Sequence, residues 1–343
     1  MPVLQPLRLE VAMSEATGRI AITGANGFVG RAVNRALLAQ GIAATGIVRR
    51  GVACEPGVDA RSIEGLESIA PEALSGCGAV IHLAARVHVM RDAAAQKKSA
   101  SQAQAVLDAY RATNVDGALA VAEAARRAGV TRFVLVSSIK ALGENDPGRP
   151  LTEDDERRPP DAYGVSKAEA EVRLLEFGSR TGLEVVVVRP PLVYGPGVRA
   201  NFLAMMNAIT RGVPLPLGAI DARRSLVSVD NLASAALKCA RHPAAAGRVF
   251  HVTDGYDPSV GELARKLGDH LGKPARLLPV PAGLLGGVAK LAGKTTQIER
   301  LTGSLRVDSS RIRDTLGWRA PQTLDEGLAA TAAWFRMARG EKP

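Results

Sequence analysis

Along the first two thirds of the chain, apolar residues come as short, almost unbroken runs. Longer stretches in which they recur every three or four positions separate these runs. Such runs read as strands buried on both faces, and the periodic stretches as helices with one apolar stripe. The predicted strands are "RIAIT" (19–23), "AATGIV" (43–48), Val58–Ile63, "AVIHLAA" (79–85), "RFVLVSS" (132–138) and "EVVVVRP" (184–190). Helices are predicted after "GANGFVG", over "NVDGALAVAEAARRAG" (114–129) and over "AYGVSKAEAEVRLLEFGSRTG" (162–182). Alternation of this kind predicts an α/β fold with a doubly wound parallel sheet.

Beyond about Pro196 the pattern loosens and Gly and Pro punctuate it. Strands are predicted over Ser225–Val229 and Val249–Val252, and helices over 260–271, 282–291 and 324–337. The expected organisation is a flexible tail (1–18), a sheet domain (19–195) and mainly a smaller C-terminal α+β lobe (196–343). Some segments of that lobe are free to return to the sheet. "QKKSASQAQ" (96–104) reads as a polar loop or lid. The apolar stretch 277–294 is read as a buried amphipathic helix in preference to a membrane or partner contact. No apolar run approaches the roughly twenty residues of a membrane span.

Composition narrows the function. With 343 residues, 46% of them hydrophobic, the chain can bury a real core. Cys54, Cys77 and Cys239 are odd in number and far apart. No disulfide framework and no metal site is expected from them, and they suit the cytoplasm. The N-terminal residues lack the apolar core of a signal peptide. A net charge of +10 raises nucleic acid as a partner. The basic residues are scattered pairs, however, and aromatics make up only 3% of the chain, too few for base stacking. An anionic small substrate is the expected partner, with no nucleic acid and no stable membrane insertion. The oligomeric state is not readable, and a homodimer is compatible with the pattern.

"ITGANGFVG" sets Gly24, Gly27 and Gly30 between a predicted strand and a predicted helix. The first glycine permits a tight turn, the second lets backbone approach a pyrophosphate, and the third allows close helix packing. Glycine triplets alone are a weak signal, but in this context they predict a Rossmann-type dinucleotide site, with Phe28 and Val29 opening the helix. At the end of the second strand an acid would hold the adenosine ribose. Arg49 stands there, followed by Arg50. An arginine suits a 2′-phosphate, which favours NADP over NAD. The competing reading is a solvated surface arginine.

"YGVSK" puts Tyr163 and Lys167 four apart, on one helix face. An ammonium beside a phenol lowers its pKa and favours proton transfer. The same spacing arises by chance around a half-buried tyrosine. Its company changes the odds: a nucleotide fingerprint precedes it, and the fifth strand ends in Ser137 and Ser138.

Together "TGANGFVG", "HLAA", "TNVDGA", "VSS", "YGVSK", "RPPLVYGPG" and "RRSLVSVDNLA" resemble the extended short-chain dehydrogenase/reductases of the NAD-dependent epimerase/dehydratase group, from about Arg19 to Phe335. The resemblance implies Ser138, Tyr163 and Lys167 as the catalytic set, Ser138 standing three positions before "ALG" (141–143), where the family usually has "VYG". It implies cofactor contacts from Leu83, Ala84, Ala85, Ser137, Pro190 and Val193. Asn114 would fix the active-site geometry. Ile139 and Lys140 would lie against the sugar, and Asn201 and Arg224 would bind a nucleotide diphosphate. Leu142 replaces the usual tyrosine, a departure from the common 4-epimerase pattern. The motifs look most like the surface-polysaccharide branch, which reduces UDP-4-keto-6-deoxy-N-acetylhexosamines with NADP or NAD. Two rivals follow: a UDP-sugar 4-epimerase with tightly held NAD, and a dinucleotide-binding regulatory protein without catalysis.

Overall fold

The central strands pair in parallel because each is apolar on both faces and must be covered on both, whereas the edge strand Asp59–Ile63 is largely exposed. The computed structural model describes residues 18–87, 99–281, 283–284 and 302–340. Of the predicted tail only residue 18 is described and of the predicted helix 282–291 only residues 283–284, and most of the apolar stretch 277–294 lies outside the described residues. Seven strands form one parallel sheet: β1 (Arg19–Thr23), β2 (Ala44–Arg49), β3 (Asp59–Ile63), β4 (Cys77–His82), β5 (Arg132–Val136), β6 (Glu184–Arg189) and β9 (Val249–His251). Their order is β3-β2-β1-β4-β5-β6-β9. Two further strands, β7 (Leu192–Tyr194) and β8 (Leu226–Ser228), pair separately.

Alternation along each strand feeds two cores. Phe133, Leu135, Val185 and Val187 point to one layer, formed with α3 (Gly117–Arg127) and α4 (Ala162–Thr181). Val134, Val136, Val186 and Val188 point to the other, formed with α1 (Phe28–Ala39) and α6 (Val229–Arg241). A third core joins α5 (Ala200–Thr210), α7 (Val260–His270) and α9 (Leu324–Ala338) through Phe202, Met206, Leu263, Leu267, Leu328 and Phe335. Beyond 196, α5, α7 and α9 thus share their own core, while β9, α6 and α8 (Ser310–Leu316) pack with the sheet.

Strand ends differ from the sequence expectation in an instructive way. The fourth strand stops at His82 and not at Ala85, because the Thr23 hydroxyl accepts hydrogen bonds from Leu83 N and Ala84 N, each at 3.2 Å. The fifth stops at Val136, and the Ser138 hydroxyl accepts from Lys140 N (3.2 Å) to cap a single tight turn. The expected polar loop at 96–104 is corrected over its second half. Ser99 caps α2 (Ala100–Arg111), accepting from Gln102 N, and the alanines that follow favour helix. Between α2 and α3 the helix widens into a π-turn over Ala112–Asp116.

Candidate active site

In an open parallel sheet, a ligand crevice forms outside the carboxyl ends of the strands where the chain order reverses. Here that point lies between β1 and β4. Gly24 has φ +70°, and a Cβ on it would come within 3.0 Å of Ala84 N. A Cβ on Gly30 would lie 2.2 Å from Gly24 O. Only hydrogen fits in this turn. α1 begins behind Gly27 with no side chain capping it, so its first N–H groups are free to meet an anion. Phe28 and Val29 open that helix half-buried, and Leu83, Ala84 and Ala85 flank the turn. These residues fit a dinucleotide. Arg49 ends β2 exposed, while Arg50 is ion-paired with Glu64.

The catalytic candidates meet where β5 ends. α4 carries Tyr163 and Lys167, and Asp161 caps its start by accepting from Gly164 N (2.9 Å). The Ser138 hydroxyl is close enough to the Tyr163 phenol to favour its ionised form. Burial pushes the phenol up to about 12; Ser138 works against this and the Asp161 charge adds to it. Lys167 is 2% exposed and donates to Val136 O at 2.9 Å. Burial lowers it to about 8, against the raising influence of Glu171. The lysine therefore hangs on the strand end, and burial, not a neighbouring ammonium, dominates the phenol.

Asn114 sits in the π-turn, the kind of helix defect often found at functional sites. Its side chain accepts from Arg86 N (2.8 Å) and donates to Arg86 O (3.0 Å) and Ser166 Oγ (2.9 Å). Ser166 in turn donates to Tyr163 O at 2.8 Å. Asn114 so ties the segment after β4 to the helix bearing the phenol. Tyr110 meets Tyr163 edge-on at 6.2 Å.

Two neighbours lie inside motifs without being expected site residues, Thr23 opening "TGANGFVG" and His82 opening "HLAA". Thr23 Oγ1 lies 2.9 Å from His82 Nδ1; since it already accepts two N–H groups, its proton goes to the histidine. Burial and the Lys167 charge hold His82 down at about 3, so it is neutral. Ser137 differs from the expected nicotinamide contact. Its hydroxyl turns inward and donates to buried Glu171 at 2.6 Å. Glu171 also holds Arg189 through bonds of 2.9 and 2.7 Å.

Matched against known proteins, residues 20–253 fit the family described as "NAD dependent epimerase/dehydratase family". The chain belongs to the NAD-dependent epimerase/dehydratase family. It is 40% identical over 327 residues to a UDP-glucose 4-epimerase of Vibrio cholerae, covering 93% of this chain and 96% of that one. A GDP-6-deoxy-D-mannose reductase of Pseudomonas aeruginosa is 27% identical over 340 residues, covering 95% and 100%. The solved structure of MoeE5 with UDP-glucose and NAD is 26% identical, with a TM-score of 0.71 over 94% of this chain and 100% of that one. The protein is accordingly an NAD(P)-dependent enzyme of the nucleotide-sugar epimerase, dehydratase and reductase type.

Within this epimerase/dehydratase fold the sugar end departs from expectation at two residues. Ile139 does not face a sugar: it is buried with Leu142, Leu151, Leu305 and Val307 in a small apolar cluster. The same cluster explains Leu142, since an apolar side chain is what fits against Leu305. Lys140 is bound to Asp161 (2.7 Å) and Glu144 (3.4 Å). Pro190 accepts from Ile139 N (2.9 Å), and Val193 lies half-buried beside exposed Leu192. Asn201 is exposed at the start of α5, outside the catalytic hydrogen bonds. Arg224 is half-buried and donates to Gly303 O at 2.8 Å, whereas Arg223 is exposed and donates to Asp257 O. The segment 303–308 links that arginine to the active-site loop. Leu305 pairs beside Arg224, and Arg306 grips buried Asp146 at 2.9 and 3.0 Å.

Proposed function

We propose that this enzyme performs oxidoreduction at C4 of a UDP-linked hexose or N-acetylhexosamine. The observation that carries the reading is the convergence of Ser138, Tyr163 and Lys167 at the end of β5, on the crevice that the Gly24–Gly30 turn opens. Bound in that turn, NAD(P) supplies or accepts the hydride. Tyr163 moves the proton at the sugar O4, and Ser138, beside the phenol, orients the same oxygen. Lys167 keeps a positive charge behind them. In this reading Arg224 and Asn201 would meet the diphosphate, which an arginine fork suits.

Net reduction of a 4-keto sugar, such as a UDP-4-keto-6-deoxy-N-acetylhexosamine, is the direction one feature supports. Exposed Arg49 stands where an acid would bind the ribose hydroxyls of NAD, and it suits the 2′-phosphate of NADPH. The second reading, 4-epimerisation with retained NAD, is supported by the 40% identity to the Vibrio cholerae epimerase.

One set of assays separates them. With NADPH and the 4-keto sugar, the reductase reading expects one NADPH consumed per product. Interconversion of UDP-glucose and UDP-galactose without added cofactor establishes the epimerase reading instead. In parallel, Arg49→Ala should raise the Kd for NADPH about tenfold or more, the loss of one charge-assisted bond, and leave NADH nearly unchanged. Equal effects on both cofactors return Arg49 to the solvated surface.

A further inference from the structure

We propose that Glu171 is a positioning residue of this active site, one that fixes the strand end carrying Ser138 and keeps Lys167 charged. Its part in turnover rests on the C4 reading above; its effect on Lys167 does not. Tyr163, Lys167 and Glu171 follow one another at steps of four along α4 and so share a face. The first two reach the reacting end, and the third lies beneath it, fully buried. One carboxylate oxygen accepts from the Ser137 hydroxyl (2.6 Å) and from Arg189 Nε (2.9 Å). The other accepts from Arg189 Nη2 (2.7 Å) and from Arg157 Nη2 (3.3 Å). Lys167 donates to Val136 O, the carbonyl that immediately precedes Ser137, and Ser138 immediately follows. Glu171 thus pins the middle residue of the three on which both catalytic groups depend.

Charge gives the carboxylate its second task. Lys167 and Arg189 are 2% and 1% exposed; Arg189 is paired with Glu171 at 2.7 Å, and Lys167 lies one turn before Glu171 on α4. An arginine does not give up its proton, but a buried lysine does. The groups around Lys167 are Tyr163 and Glu171, one turn to either side on its own helix, neutral His82 from β4, and the Val136 carbonyl from β5. Arg189 from β6 and Arg157 from the loop before α4 reach it through Glu171. Glu171 is the carboxylate in this set, and it opposes the burial that draws Lys167 down. The ammonium form is present below the lysine's folded pKa and is lost as pH rises through it. Removing the Glu171 charge moves that loss to lower pH.

A purely structural glutamate would behave otherwise. Glutamine keeps its size and still accepts from Ser137, so stability would fall with no change in titration. The test is lysine-selective carbon NMR titration of the full chain, with the Lys167 resonance assigned by its loss in Lys167→Met. Glu171→Gln is expected to lower the Lys167 midpoint by about one pH unit or more, and to shift the basic limb of kcat by the same amount. Glu171→Asp, which keeps the charge, should leave the midpoint closer to that of the parent. Should Glu171→Gln fail to fold, the double variant Glu171→Gln/Arg189→Met removes the buried pair together and still takes the carboxylate away from Lys167, so its midpoint should fall as well. An unmoved midpoint in whichever variant folds overturns the proposal. The titration needs neither substrate nor cofactor, so failure of the C4 reading would show in the assays above and leave this result interpretable.

Discussion

Tyr163→Phe is expected to lower kcat by about two orders of magnitude or more, the usual range for removal of a positioned proton donor, while the Kd for the dinucleotide stays within about twofold. The substitution deletes one oxygen from a half-buried ring. Edge-on packing against Tyr110 survives, and so does the Lys167 bond to Val136 O. Ser138 loses its phenol partner but keeps its place at the strand end, because its own hydroxyl accepts from Lys140 N. What disappears is the proton at O4. An interaction made only as the reaction proceeds shows in kcat, so KM for the sugar nucleotide should move little. A variant with near-parental kcat would remove Tyr163 from the chemistry.

Gly30→Ala should have the largest effect on cofactor binding, through backbone alone. The added methyl would sit 2.2 Å from Gly24 O and 2.8 Å from Ala25 C and Cα, all main-chain atoms that cannot rotate away. Relief requires α1 to back off from the turn. That motion breaks the close approach of helix N-terminus and loop on which pyrophosphate binding depends. Overpacking of this kind costs about 1–3 kcal/mol, and the dinucleotide Kd is expected to rise about tenfold or more. Thermal shift reads both effects: a lower Tm without ligand, and a smaller increment when NAD(P) is added. A variant that binds NADPH as the parent does would mean that the turn does not receive the pyrophosphate.

Much of the sheet was legible because its strands are apolar on both faces. Val185–Val188 admits no other reading, and the same holds for Phe133–Val136. Strand ends were less legible. Whether Ser137 or Ile139 faces the crevice depends on where pairing stops, and a hydroxyl cap at Ser138 decided that. Helix α6, with Leu232, Ala235, Ala236 and Cys239 on its buried face, has a clear period of its own. It went unread beside the loose punctuation around it. The Ser138, Tyr163 and Lys167 set was visible as spacing, and Glu171 continues that spacing by one more turn. Its meaning rests on Arg189, at the end of β6, and Ser137, just past the end of β5. Asp146 and Arg306 are farther apart still, and no local pattern announces a pair that only the fold brings together.

The central claim, redox chemistry at C4 of a UDP-linked sugar, is tested most directly with substrates carrying carbon-13 at that position. Sugar nucleotide and cofactor are mixed with the enzyme, and nicotinamide absorbance is followed alongside the C4 carbon signal. The account expects the C4 signal to change, from carbonyl to carbinol with matching loss of NADPH, or between the two carbinol configurations with no net loss. A substrate consumed with its labelled C4 unchanged, or one altered at another carbon, would contradict it.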